Sequence, residues 1–262
     1  MQRRSFMGHV SAALCLCGLC TTTRTVLAEE HAAAPHGGHQ WAYEGEGGPE
    51  QWGELSPEYA ACHLGKEQSP VDLRGAIPAA LPDPATAWTP LPLKVLNNGH
   101  TIQVDGVGGG SLMLDGQAYD LLQFHFHHPS EHLVDGRPAA LEVHFVHKSA
   151  EGGLAVLGVL VVEGPANPVL ESIWKIMPDK GGETTMGQTA LDFKTLLPND
   201  PTTYRYAGSL TTPPCSEVVQ WVVYRKPITA SDGQIKRFAA LFPNNARPVQ
   251  PLGRRKLLLD SL

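Results

Sequence analysis

Apolar and polar positions alternate over several short stretches of this chain. Thr101-Ile102-Gln103-Val104 and Ser111-Leu112-Met113-Leu114 carry the two-residue period of strands with one covered face. Residues 154–162 form a continuous apolar run, the pattern of a central strand covered on both faces, and residues 218–224 form another. Helical spacing is rarer. Leu170, Ile173, Trp174 and Met177 recur behind Pro168, which suits a first helical turn, and Ile235, Phe238 and Leu241 recur behind Ser231 and Asp232, either of which can cap. Strands dominate, and the predicted helices are short and peripheral.

Composition agrees with this picture. Among 262 residues, 27 Gly and 22 Pro imply many turns, and a charged fraction of 18% excludes a coiled coil. A formal charge of −6 without any Lys/Arg run excludes the electrostatic footprint of a nucleic-acid binder. The chain opens with Arg3-Arg4, an apolar stretch over residues 10–20, and Val26-Leu27-Ala28 before two glutamates. That is the layout of a signal peptide cut near Ala28, similar to a twin-arginine signal, and its apolar run is too short to span a membrane. Cleavage removes three arginines and three cysteines, so the charge becomes −9 and only Cys62 and Cys215 remain. An even pair in an exported, oxidised protein predicts a disulfide. Residues 29–40 read as a flexible leader, and residues 41–262, without linker or repeat, as one domain in a periplasmic or secreted protein.

Six of the 12 histidines lie between His125 and His147. On a strand, Gln123, His125 and His127 share one face while Phe124 and Phe126 take the other. In residues 141–146, Glu142 and His144 share a face, and a turn at Asp135-Gly136-Arg137-Pro138 folds that segment back beside the first. Three imidazoles with no thiolate suit a zinc ion that keeps a fourth position for water, whose pKa then falls to about 7. Gln123 and Glu142 are candidates to hold the outer nitrogens. His125, His127 and Glu131 also fit the first half of a cupin metal motif. A cupin oxygenase needs a further ligand well downstream, and no histidine follows His147.

These residues, together with Trp41-x-Tyr43, Gln68-Ser69-Pro70-Val71, Asn97-Asn98-Gly99-His100, the segment from Ser209 to Glu217, and Asn245-Ala246-Arg247-Pro248-Val249-Gln250-Pro251, resemble the alpha-class carbonic anhydrases. The resemblance covers nearly the whole exported chain in order. It implies a mainly β, mixed α+β fold, with a large, mostly antiparallel twisted sheet at its centre and short peripheral helices. It further implies one zinc per chain on His125, His127 and His144, catalysing reversible hydration of CO2 to bicarbonate, with esterase activity on the side. By the same resemblance, Thr211 accepts a hydrogen bond from the zinc-bound hydroxide and gives its own proton to Glu131. Val146, Val156, Leu210, Val219 and Trp221 form the CO2 surface, with Thr212 beside it. His100 is the proton shuttle, Tyr43, Asn98 and Gln103 order the intervening waters, and Cys62 and Cys215 are the disulfide pair. Ser69-Pro70 and Pro213-Pro214 match the family's cis peptides. Sulfonamides and anions are the implied inhibitors, and a homodimer is the implied assembly. The resemblance also has a nonenzymatic counterpart, an anhydrase-like binding domain without zinc; such domains lose ligands that this chain keeps. The short His128-Pro129-Ser130 link is typical of bacterial members, with His128 expected to face the surface and His132 to be structural.

Overall fold

A computed structural model describes residues 40–260. The expected signal peptide and all of the expected leader but Gln40 lie outside the described residues. A 13-stranded twisted sheet dominates, ordered Ile77–Ala79, Leu258–Asp260, Thr203–Gly208, Val219–Tyr224, Leu154–Glu163, Leu141–Lys148, Gln117–His127, Ile102–Asp105, Leu91–Asn97 and Gly182–Leu191 along its main path. Most neighbours are antiparallel. Parallel pairs join Leu154–Glu163 to Val219–Tyr224 and to Ile228–Ala230, and Ile77–Ala79 to Leu258–Asp260.

The expected strands and helices form. The apolar run at 154–162 becomes the strand Leu154–Glu163, buried along nearly its whole length because it lies between two long neighbours. Pro168 opens the helix Pro168–Trp174, whose first N–H groups are taken by the Asn167 side chain. Ser231 caps Asp232–Ala239 and forms a capping box with Gln234. Phe238 of that helix stacks on Trp174 at 5.4 Å between centroids, and the two helices close one face of the sheet over Phe124, Phe126 and Phe145. Burying those aromatics stabilises this packing at roughly 25 cal/mol for each Å² of apolar surface covered.

Two departures from local pattern matter for the other face. The Gln117–His127 strand pairs with Leu141–Lys148 through an irregularity between Leu121 and Gln123, which resets the alternation just before the histidines. The link between these strands carries a small hairpin of its own, Leu133–Val134 against Arg137–Pro138, at whose turn Asp135 (φ 49°) and Gly136 (φ 78°) both adopt the left-handed conformation. The Ser69-Pro70 and Pro213-Pro214 peptides are cis as expected, and a third cis peptide, His128-Pro129, is present.

Candidate metal centre

His125 and His127 project from one strand, and His144 stands directly opposite His125 on the next. Their ring centroids lie 4.5 to 5.3 Å apart, and one nitrogen from each ring falls within 4.8 Å of the others. Each ring is fixed through its other nitrogen. Nδ1 of His125 is 2.9 Å from Gln123 Oε1, Nδ1 of His127 is 2.7 Å from the Asn245 carbonyl, and Nε2 of His144 is 2.9 Å from Glu142 Oε1. These acceptors set the tautomers, so Nε2 of His125, Nε2 of His127 and Nδ1 of His144 are the atoms that could bind a metal. Gly158 pairs with His144 across the sheet, and a Cβ there would crowd Glu142 Oε1 at 3.1 Å, so glycine leaves that carboxylate the most room.

The residues fit a metal. Nε2 of His127 and Oε2 of Glu131 are buried 3.6 Å apart without hydrogen-bond partners, a costly arrangement unless something else engages them. Burial lowers the His127 pKa to about 4 and lowers that of His144 too, so both imidazoles are neutral, the form that binds a cation. Three nitrogen donors without sulfur suit a borderline divalent ion, zinc among them.

Around these ligands lies a buried carboxylate pair. Glu142 receives His132 Nδ1 at 2.7 Å, His144 Nε2 at 2.9 Å, and the backbone N–H groups of Glu131 and His132 at 2.9 Å each. Burial alone would raise its pKa, but His132 and His144 outweigh it and hold the group well below the usual carboxylate range. Glu131 is different. Burial pushes it up to about 7, against the lowering effects of His144, the Arg247 N–H and the Thr211 hydroxyl. The Arg247 N–H donates to Glu131 Oε1 at 2.8 Å.

Thr211 sits in a loop closed by hydrogen bonds from Leu210 N–H to the Ser216 carbonyl and from Cys215 N–H to the Thr212 carbonyl. The predicted disulfide, Cys62–Cys215, ties this loop to the amino-terminal segment. Val146, Val156, Val219 and Trp221 form one buried cluster with Leu210 packed against it, and the Trp221 ring lies 4.8 Å from His144, so the apolar surface adjoins the third ligand. Thr212 is half-buried beside it.

On the other side, Gln103 pairs in register with His125 and is half-buried. The His100 ring stacks on Trp41 at 3.7 Å, and Trp41 contacts Tyr43 edge-on at 5.4 Å. Burial, then the nearby Glu131 charge, raises the Tyr43 phenol well above its ordinary pKa, so it remains protonated. Asn98 has a structural task that its sequence does not reveal: its Oδ1 accepts the N–H groups of His100 and Thr101 and shapes the loop that carries His100. His128 lies at the surface, partly covered, because it follows the end of its strand and its N–H and Nδ1 are taken by Asn245 Oδ1 and the Pro243 carbonyl. His132 is wholly buried between Glu142 and the Tyr206 hydroxyl, 2.6 Å from its Nε2, in keeping with a structural role. Asn245 and Arg247 were visible only as parts of a matching segment; their contributions are a backbone carbonyl and a backbone N–H.

Fold and site together define a mostly antiparallel sheet that carries a candidate three-histidine metal centre. A profile of the eukaryotic-type carbonic anhydrases matches residues 47–261, and the chain belongs to that family. It is 43% identical to a carbonic anhydrase of Pectobacterium carotovorum over 83% of this chain and 90% of that one, and 45% identical to one of Nostoc sp. over 83% and 85%. The solved alpha-carbonic anhydrase of Thermovibrio ammonificans, in complex with the inhibitor sulfanilamide, superposes with a TM-score of 0.80 at 44% identity, covering 85% of this chain and all of that one. Membership in this family removes the cupin alternative.

Proposed function

We propose that the protein is a zinc enzyme for the reversible hydration of CO2 to bicarbonate, and the observation that carries this is the convergence of His125, His127 and His144 beside the buried Glu131. When bound, zinc acts as a Lewis acid that brings the ionisation of water down to about pH 7. The three imidazoles hold the ion, and Gln123, the Asn245 carbonyl and Glu142 hold the imidazoles. Thr211, giving its hydroxyl proton to Glu131, can only accept from the attacking water, which orients that water and turns away ligands with no proton to give. Val146, Val156, Leu210, Val219 and Trp221 offer CO2 a nonpolar seat, with Thr212 at its edge. His100 takes up the released proton at its ring nitrogen and passes it to solvent, through waters ordered by Tyr43, Asn98 and Gln103.

A primary sulfonamide and small anions would compete at the same position. The disulfide suits an oxidising compartment, in keeping with residues 1–28 as a signal peptide and with a periplasmic or secreted enzyme. Among the described residues no helix is long and apolar enough to cross a membrane.

Stopped-flow CO2 hydration with parallel metal assay tests the reading. One zinc per chain is expected, with near-total loss of activity in His144→Ala. His100→Ala should lose about tenfold or more, restored by small diffusible buffers. Full activity in His144→Ala refutes the metal assignment.

A further inference from the structure

Arg247 is buried and ties together four separate parts of the molecule. Its Nη1 donates to Gln68 Oε1 at 2.9 Å and to the Ser69 carbonyl at 2.8 Å, and its Nη2 donates to the Cys62 carbonyl at 2.9 Å. The guanidinium lies 5.5 Å from the centre of the Trp52 ring. These anchors lie 178 to 185 residues earlier in the chain for the three hydrogen bonds. The same residue's backbone N–H is the donor to Glu131 Oε1. A guanidinium whose fork meets fixed acceptors on both arms cannot shift without breaking several bonds, so the backbone to which it belongs is held in place too.

We propose that Arg247 is a positioning residue for CO2 hydration: its guanidinium pins the backbone at 247, and that backbone N–H in turn sets the Glu131 carboxyl that receives the Thr211 proton. The proposal rests on the zinc-dependent reading above. Asn245, two residues earlier, is anchored independently, because its side chain bonds the His128 N–H and the carbonyls of His100 and Phe126. Loosening the guanidinium therefore releases Glu131 while leaving His127, and with it zinc binding, in place.

Arg255 supplies a matched comparison. It too is a guanidinium staple, donating to the carbonyls of Leu252, Ala207, Gln68 and Pro251 beside the Tyr206 ring, and it makes no bond to Glu131. Zinc-loaded full-length protein with Arg247→Lys or Arg255→Lys is assayed for CO2 hydration, for zinc affinity by chelator competition, and for inhibition by sulfanilamide and thiocyanate. Lysine retains the charge over Trp52 but cannot span both sets of acceptors. For Arg247→Lys, kcat/KM should fall at least about tenfold. Zinc affinity should stay within about threefold, since the ligands and their acceptors are untouched. A Thr211 hydroxyl freed from Glu131 can donate, so thiocyanate, which carries no proton, should gain on sulfanilamide by about tenfold in the ratio of their inhibition constants.

Arg255→Lys should change thermal stability alone. If Arg247→Lys does not fold, Arg247→Gln, which keeps the backbone N–H and removes the fork that anchors it, should shift the inhibitor ratio in the same direction. Unchanged kcat/KM and inhibitor ratio in a folded Arg247 variant overturn the proposal, as does an equal shift in Arg255→Lys. An inactive zinc-loaded wild type refutes the reaction itself, and this role with it.

Discussion

Replacing Glu142 by glutamine keeps the shape of the side chain and removes only an acceptor and a charge, so it isolates what that carboxylate does. Oε1 faces two imidazole N–H groups, from His132 and His144, and Oε2 faces two backbone N–H groups, from Glu131 and His132. An amide has one acceptor oxygen. The backbone donors cannot change, whereas an imidazole can move its proton, so the amide NH2 will turn to the histidines and the oxygen to the backbone. His144 must then accept at Nε2, and its proton goes to Nδ1, the nitrogen that faces His127 and Glu131. Zinc can bind only after that tautomer is reversed. Loss of an outer-shell partner of this kind costs about 10- to 100-fold in metal affinity, or roughly 1.4 to 2.8 kcal/mol. Chelator competition at pH 7.5 measures the zinc dissociation constant directly. A Glu142→Gln protein that is folded and binds zinc within about threefold of wild type would show that the tautomer of His144 is not set by Glu142.

Two more predictions concern stability. His147 is buried on the core face, its ring stacked beside Trp88 at 5.6 Å, and burial lowers its pKa to about 4. Because the unfolded chain takes up the proton first, near pH 6.5, the stabilisation from the neutral ring is complete above that pH and is lost as pH falls towards 4. Urea unfolding between pH 7 and 4 should show the wild type losing about 3 kcal/mol more than His147→Phe; parallel pH profiles would refute this. The Cys62–Cys215 bridge joins residues 153 apart. Removing both cysteines should cost about 5 kcal/mol on the chain-entropy treatment, read by guanidinium chloride unfolding of both proteins without reductant. A loss under about 1 kcal/mol would mean that the unfolded chain is not constrained by the bridge as that treatment assumes.

The ligand set was legible because its logic is local. Side chains two apart on a strand share a face, so Gln123, His125 and His127 had to converge if that segment was extended, and the Asp135-Gly136 turn brought Glu142 and His144 alongside. The disulfide was legible from the even pair of cysteines left once residues 1–28 are read as a signal peptide. What could not be read was everything carried by backbone atoms, since a carbonyl or N–H has no residue type to betray it. The carbonyl of Asn245 that orients His127 and the N–H of Arg247 that orients Glu131 come from more than a hundred residues away and belong to whichever residue the fold places there. The Asn98 side chain also holds the loop that carries His100, and the His128 N–H is taken by an acceptor on a distant segment.

The sequence by itself therefore determined which elements form, which residues face one another within and between adjacent strands, and hence which three nitrogens meet. Only the tertiary structure decided the protonation and orientation of those nitrogens, and the two opposite fates of Glu131 and Glu142. Both carboxylates are equally buried, and the difference between a pKa near 7 and one far below it lies in how many donors each meets. That number is fixed by long-range packing, because at a buried site the surrounding dipoles and charges replace water as the solvent of the group.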